Sequence, residues 1–263
     1  QEEAWAREQA TVDARRLVRR RGAWMILFGA AHAMLFDSDV IGLYGLVAVV
    51  FAGWVAHKHW KRAAVVSAVI VVANVVVTFI VGSLMVSQGT TSSTAMREET
   101  DGSTVTLLSY ISDGLTSWAG GTVRGALLSM VVPAMFLGAR LADTGIITQP
   151  DRHRRLLIST GIGGLALGAL AALHSALTNV LPISQWPWDF AVKELFGIVG
   201  ACGWLALLAL YAGGPREDGR LTGLRRLASA VGRRSMTAYL SQTILFGTIF
   251  VIVPVLVMGQ RLW

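Results

Sequence analysis

The chain has 263 residues, 54% hydrophobic and 15% charged, with a formal net charge of +7 and a mean hydropathy of +0.57. Soluble domains carry nearer a quarter of charged residues, so this composition excludes an ordinary water-soluble globule. The basic balance does not point to nucleic acid, because the cations cluster in alternate short segments between apolar runs, without zinc spacing, an RNA-binding signature or interleaved aromatics.

Residues Gln1–Asp13 are polar and read as a short surface helix, and the lack of an initial Met places the expected start inside a longer protein. Arg15–Arg21 holds five arginines in seven residues. An apolar run follows, with the lone His32 in it, then Asp37 and Asp39, then a second apolar run from Val40. The pattern is a cationic anchor, an entering helix over Gly22–Phe36, an acidic hairpin and a returning helix over Val40–Ala56. At 15 residues the first of these reaches only ~22 Å, so it needs neighbours, thinned bilayer or extension through the arginines.

Four later runs lack any Asp, Glu, Lys or Arg: Ala63–Val86, Leu156–Leu181, Leu195–Pro215 and Ser235–Gln260. Trp118–Ala139 is interrupted once, by Arg124. The expected fold is therefore all-α and polytopic, with about seven spans, since only helices and closed barrels satisfy their backbone in lipid and no barrel alternation is present. Residues 1–21 form a basic, amphipathic cytoplasmic segment, and 22–263 a single transmembrane domain with an extracytoplasmic loop at 87–117. Val105–Trp118 in that loop reads as a surface amphipathic helix, and Leu181–Asp189 as a second outer loop anchored by Trp186 and Trp188. The single cysteine, Cys202, lies in an apolar run and reads as a packing residue.

Orientation follows from loop charge. The segments Gln1–Arg21, His57–Arg62, Arg140–Arg155 and Gly213–Arg234 hold 19 of the 23 Lys and Arg residues, which puts them in the cytoplasm.

Ionisable groups at membrane depth are costly and mark function. His32 lies ~16 Å beyond Arg21, and His174 ~28 Å beyond Arg155, along their helices. Arg124, Lys193 and Glu194 begin inward-running helices from the outer side, and Asp113 stands at the edge. All fall in the outer half, which predicts a polar cavity open to the outside. The plainer alternatives are packing for His174 and snorkelling for Arg124, Lys193 and Glu194. His32 stands apart, because Asp37 and Asp39 lie at its level and a carboxylate can orient an imidazole for acid–base work. On the cytoplasmic side, Arg233 and Arg234 precede Tyr239 and Gln242, and the start of that last helix is a candidate anion site or simply a positive anchor.

Three ordered stretches resemble one family. Arg19-Arg20-Arg21 with Leu27–Ala33 (LFGAAHA) and Asp39–Tyr44 (DVIGLY) is similar to the RR-L-FG-LHA…GDIL-YA stretch of the YeiB-like bacterial membrane proteins (domain of unknown function 418). Phe136–Arg140, Gly145-Ile146 and His153–Leu156 resemble that family's LG-x-x-LGR-x-Gly-Leu turn, and Val231–Gln242 its GRMALTNYLLQS motif. Ser38 and Ala238 stand where the family favours Gly and Asn. The resemblance implies a middle piece of a protein with nine or ten spans, lacking the first helix and the last ones. It also implies a bacterial plasma-membrane location and a distant link to transmembrane acyltransferases. On that implication the donor is a cytoplasmic acyl-CoA held by Arg20, Arg21, Arg233, Arg234, Tyr239 and Gln242, with no metal. The acceptor is an extracytoplasmic glycan, lipid or small molecule. His32 is then general base or transient acyl carrier, with Asp39 and Asp37 as its carboxylates. A transporter, or a non-catalytic subunit of a membrane-protein complex for envelope assembly, is the alternative.

The charge asymmetry has a direct check. In a Cys202→Ser background, cysteines at Ser93 and Ser184 are expected to react with an impermeant thiol reagent applied to intact cells, and cysteines at Gln149 and Ser229 to be silent. Labelling of Ser229→Cys from outside refutes the arrangement.

Overall fold

The computed structural model describes residues 2–34, 39–87, 107–180, 186–213 and 223–249. All regular structure among them is helical. In chain order the helices are α1 (Glu2–Ala33), α2 (Ile41–Ala56), α3 (Trp60–Ser87), α4 (Leu107–Leu128), α5 (Val131–Thr144), α6 (Arg154–Val180), α7 (Asp189–Ala212), α8 (Gly223–Arg233) and α9 (Ser235–Gly247). The chain divides into two compact units, 1–213 and 214–263.

Three helical stretches are long and apolar enough to cross a membrane: Trp60–Leu84, Arg154–Thr178 and Ala191–Ala212. A bent pair, Tyr110–Leu128 and Val131–Thr144, makes a fourth if counted as one span. These account for four of the seven spans expected. Their surfaces fit lipid. Val65, Val69, Val72 and Val76 are all at least half exposed at helical spacing on α3, as are Ile162, Leu170 and Leu173 on α6. A soluble protein would not leave such continuous apolar stripes in water.

Two expectations are corrected. The polar start is not a separate surface helix. It runs through the arginines into the apolar stretch as the single 32-residue α1. Trp118–Ala139 is not one straight span either. It breaks at Ser129–Met130 with a 56° bend. Pro133 has no N–H to give the Ser129 carbonyl, so the ladder cannot run through this point. Asn74 of α3 covers part of the loss, its Nδ2 donating to the Leu128 carbonyl at 2.6 Å, and the Ser129 hydroxyl accepts the Val131 N–H at 3.2 Å. The region read as a surface helix from Val105 is continuous with α4 from Leu107 onward; the rest of that long loop lies outside the described residues.

Within unit 1 the core lies where α2, α3 and α5 meet. Leu43, Val47, Ala63, Ile70, Val132 and Phe136 are buried together. Phe51, Trp54 and Phe136 form an aromatic triad with centroids 5.2–6.2 Å apart. At one end of this core Arg140 lies over the Trp60 ring at 5.7 Å and Lys58 pairs with Asp143 at 3.2 Å, so charged side chains fasten α5 to the α2–α3 turn.

The two most extensive helix pairs are hairpins, α6 with α7 and α1 with α2. Helices gain no hydrophobic driving force from meeting each other in lipid, so close backbone approach through small residues supplies the contact. At Gly164 a Cβ would stand 2.6 Å from the Val199 carbonyl and 3.0 Å from Gly203 Cα, whereas at the adjacent Gly163 it would meet nothing within 4 Å. Gly164→Ala is therefore expected to destabilise the protein by about 1–3 kcal/mol through overpacking. Gly163→Ala should be neutral or stabilise by up to about 1 kcal/mol, by removing backbone freedom in a helix. Thermal unfolding in detergent micelles separates the two; equal shifts would show that the α6–α7 contact is not set by backbone approach.

Candidate functional site

The carboxylate of Asp39 has no exposed side-chain surface. It stands in the turn before α2. His32 is in the last turn of α1, and its side chain is 6% exposed. His32 Nδ1 lies 3.0 Å from Asp39 Oδ1. The two atoms are close but off-line for a hydrogen bond with each other. The other oxygen, Oδ2, accepts the backbone N–H of Gly42 at 2.8 Å, in the first turn of α2, and the indole N–H of Trp118 from α4 at 3.2 Å. One carboxylate thus joins α1, α2 and α4.

The local sequence makes room for it. At Gly29 a Cβ would come within 2.6 Å of both Asp39 Oδ2 and the Gly42 nitrogen. Any larger residue at 29 would push α2 and its carboxylate away from α1. Gly42 is the counterpart on the other side, where the Trp118 ring occupies the space a Cβ would need.

The arrangement suits proton handling. The Asp39 carboxylate stands beside Nδ1 at 3.0 Å, with Nε2 on the far side of the ring, and a carboxylate next to an imidazole is the pairing that makes histidine a directed base. Burial strengthens the pair by excluding water, and the two N–H donors on Oδ2 stabilise the carboxylate charge.

The other residues expected from the sequence do not join this cluster. Asp37 lies outside the described residues. Arg20 and Arg21 are exposed on α1, while Arg19 donates from Nε to the Val49 carbonyl at 3.3 Å. Asp113, Arg124, Lys193 and Glu194 are exposed on α4 and α7. Among the described residues these side chains do not join His32 and Asp39, and a second histidine–aspartate pair lies elsewhere. His174 of α6 places Nε2 2.9 Å from Oδ1 of Asp189, the first residue of α7, with side chains 52% and 16% exposed. Asp189 Oδ2 also accepts the Trp186 N–H at 2.9 Å, and the Trp188 ring packs on Phe79 of α3 at 4.3 Å. In unit 2, Arg233 and Arg234 are exposed at the α8–α9 junction, Tyr239 is half-buried and Gln242 exposed on α9.

Asp189 and Trp118 were not singled out from the sequence. The signal for Asp189 was available, since an acidic residue straight after Pro187-Trp188 at the start of an apolar run is a helix-start residue. Trp118 offered none, because its partner is 79 positions away. Among the described residues no group of three or more His, Cys, Asp or Glu side chains is placed to hold a metal ion.

Two apolar clefts flank α2. One, of about 330 Å³, is lined by Arg15 and Val18 of α1, Phe51 and Val55 of α2, and Met135 and Ala139 of α5. The other, of about 320 Å³, is lined by Tyr44 and Val47 of α2 and Val131 and Ala134 of α5. Ala48 and Met135 belong to both, so they form one seam along α2 from the arginine end toward the turn that holds Asp39.

Long apolar helices with lipid-suited faces and a buried ionisable pair define a multi-pass α-helical membrane protein. Residues 141–260 match the model of a family described as Protein of unknown function (DUF418). The match supports the YeiB-like family indicated by the sequence motifs. It includes the His174–Asp189 pair and excludes His32 and Asp39. No curated protein and no solved structure matches the chain.

If Asp39 fastens three helices, its loss should exceed that of its partners. Asp39→Ala removes the carboxylate beside His32 and leaves the Gly42 and Trp118 N–H donors without their acceptor, and each buried orphan costs about 1–3 kcal/mol. Trp118→Phe keeps the ring over Gly42 and removes one donor, for about 1 kcal/mol. Thermal unfolding in micelles is expected to rank Asp39→Ala well below both Trp118→Phe and His32→Ala; a ranking with His32→Ala lowest would place the fastening elsewhere.

Proposed function

We propose that this protein is an integral membrane acyltransferase of the bacterial plasma membrane, moving an acyl group from cytoplasmic acyl-CoA to an extracytoplasmic glycan, lipid or small-molecule acceptor. The observation that carries the reading is the buried His32–Asp39 pair, because acyl transfer needs a group that takes the acceptor's proton near neutral pH. The family resemblance supplies the reaction class.

His32 acts through Nε2 with Asp39 holding Nδ1. As general base, Nε2 takes the proton of the acceptor hydroxyl or amine, whose heteroatom attacks the thioester carbonyl. The C–S bond breaks, and the CoA thiolate leaves and is protonated. As transient carrier, Nε2 itself attacks the thioester carbon with loss of the thiolate, and the acceptor then takes the acyl group and gives up its proton. Arg20 and Arg21 offer charge-assisted hydrogen bonds to the donor's phosphates. The apolar seam along α2 supports the reading, since it runs from the arginine level toward the turn that carries Asp39 and presents the surface an acyl chain requires.

A transporter is the second reading, favoured by the break between α4 and α5. Discontinuous helices with a polar side chain inserted at the break are a recurring device of transport proteins, and Asn74 at Leu128 has that form.

Lipid and glycan profiling of a deletion strain complemented with variants tests both. His32→Ala, at normal abundance in the membrane fraction, is expected to lose acylated product by ~10²–10⁴-fold. Asp39→Asn should lose less, because it removes charge and orientation but keeps the base. Full product from His32→Ala would end the catalytic assignment. An unmodified compound accumulating on one side of the membrane, with no acylated species missing, would establish transport.

A further inference from the structure

The segment before the last run, Gly213–Arg234, was expected to be a basic cytoplasmic stretch, and in unit 2 its end is helix α8, Gly223–Arg233. The sequence GLRRLASAVGR is the most sharply amphipathic of the helices described, and none of its residues is buried. Leu224, Leu227 and Val231 recur at helical spacing on one face and are 71%, 60% and 49% exposed. Arg225, Arg226 and Arg233 lie on the opposite side with Ser229 and Gly232. One residue, Arg234, separates α8 from α9, whose first residue Ser235 opens a run of 26 without a charged side chain.

We propose that α8 lies in the plane of the membrane–water interface, its Leu224–Leu227–Val231 face in the acyl boundary and its arginines on the phosphates of anionic phospholipid. The connectivity leaves the helix within one residue of the apolar run, hence at headgroup level. A short helix with a leucine face and an arginine face has the composition of interfacial helices, whose binding adds buried apolar area to attraction by anionic lipid. The charge chooses the lipid. The face carries arginines and no acidic residue, and each basic residue near an anionic surface adds about fivefold to binding. The site uses neither His32 nor Asp39, and the arginines its test changes, Arg225 and Arg226, have no part in the acyltransfer reading.

The test uses the full chain in nanodiscs, in a Cys202→Ser background, with a nitroxide on a cysteine at Leu227 or, separately, at Ser229. Collision with oxygen reports lipid, and collision with a water-soluble nickel chelate reports solvent. In discs containing phosphatidylglycerol, the Leu227→Cys label is expected to favour oxygen and the Ser229→Cys label nickel. In phosphatidylcholine discs, or with Arg225→Gln and Arg226→Gln, the ratio of lipid-embedded to free helix should fall by about fivefold per arginine removed. A Leu227→Cys label reached by neither agent means the face packs on protein, and one reached by nickel in anionic discs means it is solvated; either overturns the proposal. Insensitivity to both lipid charge and the arginine changes overturns the anionic-lipid assignment. A label at Leu224→Cys repeats the measurement where Leu227→Cys disturbs folding.

Discussion

Asp39 is a buried carboxylate with three neighbours on three helices, and the meeting of α1, α2 and α4 is built around it. A bare carboxylate in an apolar interior costs several kcal/mol. Here the His32 imidazole stands at one oxygen while the Gly42 N–H and the Trp118 indole N–H serve the other. The same contacts tie the end of α1 to the start of α2 and to α4. In lipid such a fastening matters more than in water, because burial of apolar surface between helices adds little. Gly29 and Gly42 are the steric condition for it, one admitting the carboxylate and the other the indole.

The α6–α7 hairpin shows the same components differently arranged. Glycines again allow backbone approach, a histidine again lies near the end of the first helix, and an aspartate again opens the second. There the pair is half exposed, with His174 at 52%, and the carboxylate takes one backbone N–H rather than two N–H donors from different helices. A fastening role therefore suits Asp39 better than Asp189, which ties His174 to the turn before α7 and nothing on a third helix. The matched family region contains the exposed pair, so that pair, and not the buried one, is the histidine–aspartate feature lying inside a region shared with other proteins.

What was legible in the sequence was whatever depended on local pattern. The apolar runs gave the helical class and the approximate limits of α2, α3, α6 and α7, because span length is a property of composition. His32 and Asp39 could be paired because seven residues and one tight turn separate them. Contacts between distant segments were not legible. Trp118 reaches Asp39 only after α4 has packed against α2, and nothing near position 118 announces it. The break at Ser129–Met130 was hidden because hydropathy is blind to backbone connectivity; Pro133 was the local clue, and its missing N–H gains meaning only with Asn74 of α3 placed beside Leu128. The start of α1 failed for a related reason: polar and apolar stretches look like two elements on a hydropathy scale, although no breaker separates them and a helix passes through both.

Ionisable residues near the outer level were expected to converge on one cavity, since each alone is expensive in lipid. The structure resolves the expense residue by residue. His32 and Asp39 stand together inside the protein, His174 and Asp189 pair in a more exposed position, and Arg124, Lys193 and Glu194 keep exposed positions on α4 and α7. These seven charged or titratable groups thus need not mean one site. The pair whose chemistry is least explained by solvation is the buried one, because it alone has been moved fully out of water, and a protein that only needed to fasten α1 to α2 could have done so with an uncharged hydrogen bond. A titratable imidazole at that position adds a proton acceptor to a fastening that does not require one, and that surplus is the physical reason to look for chemistry at His32.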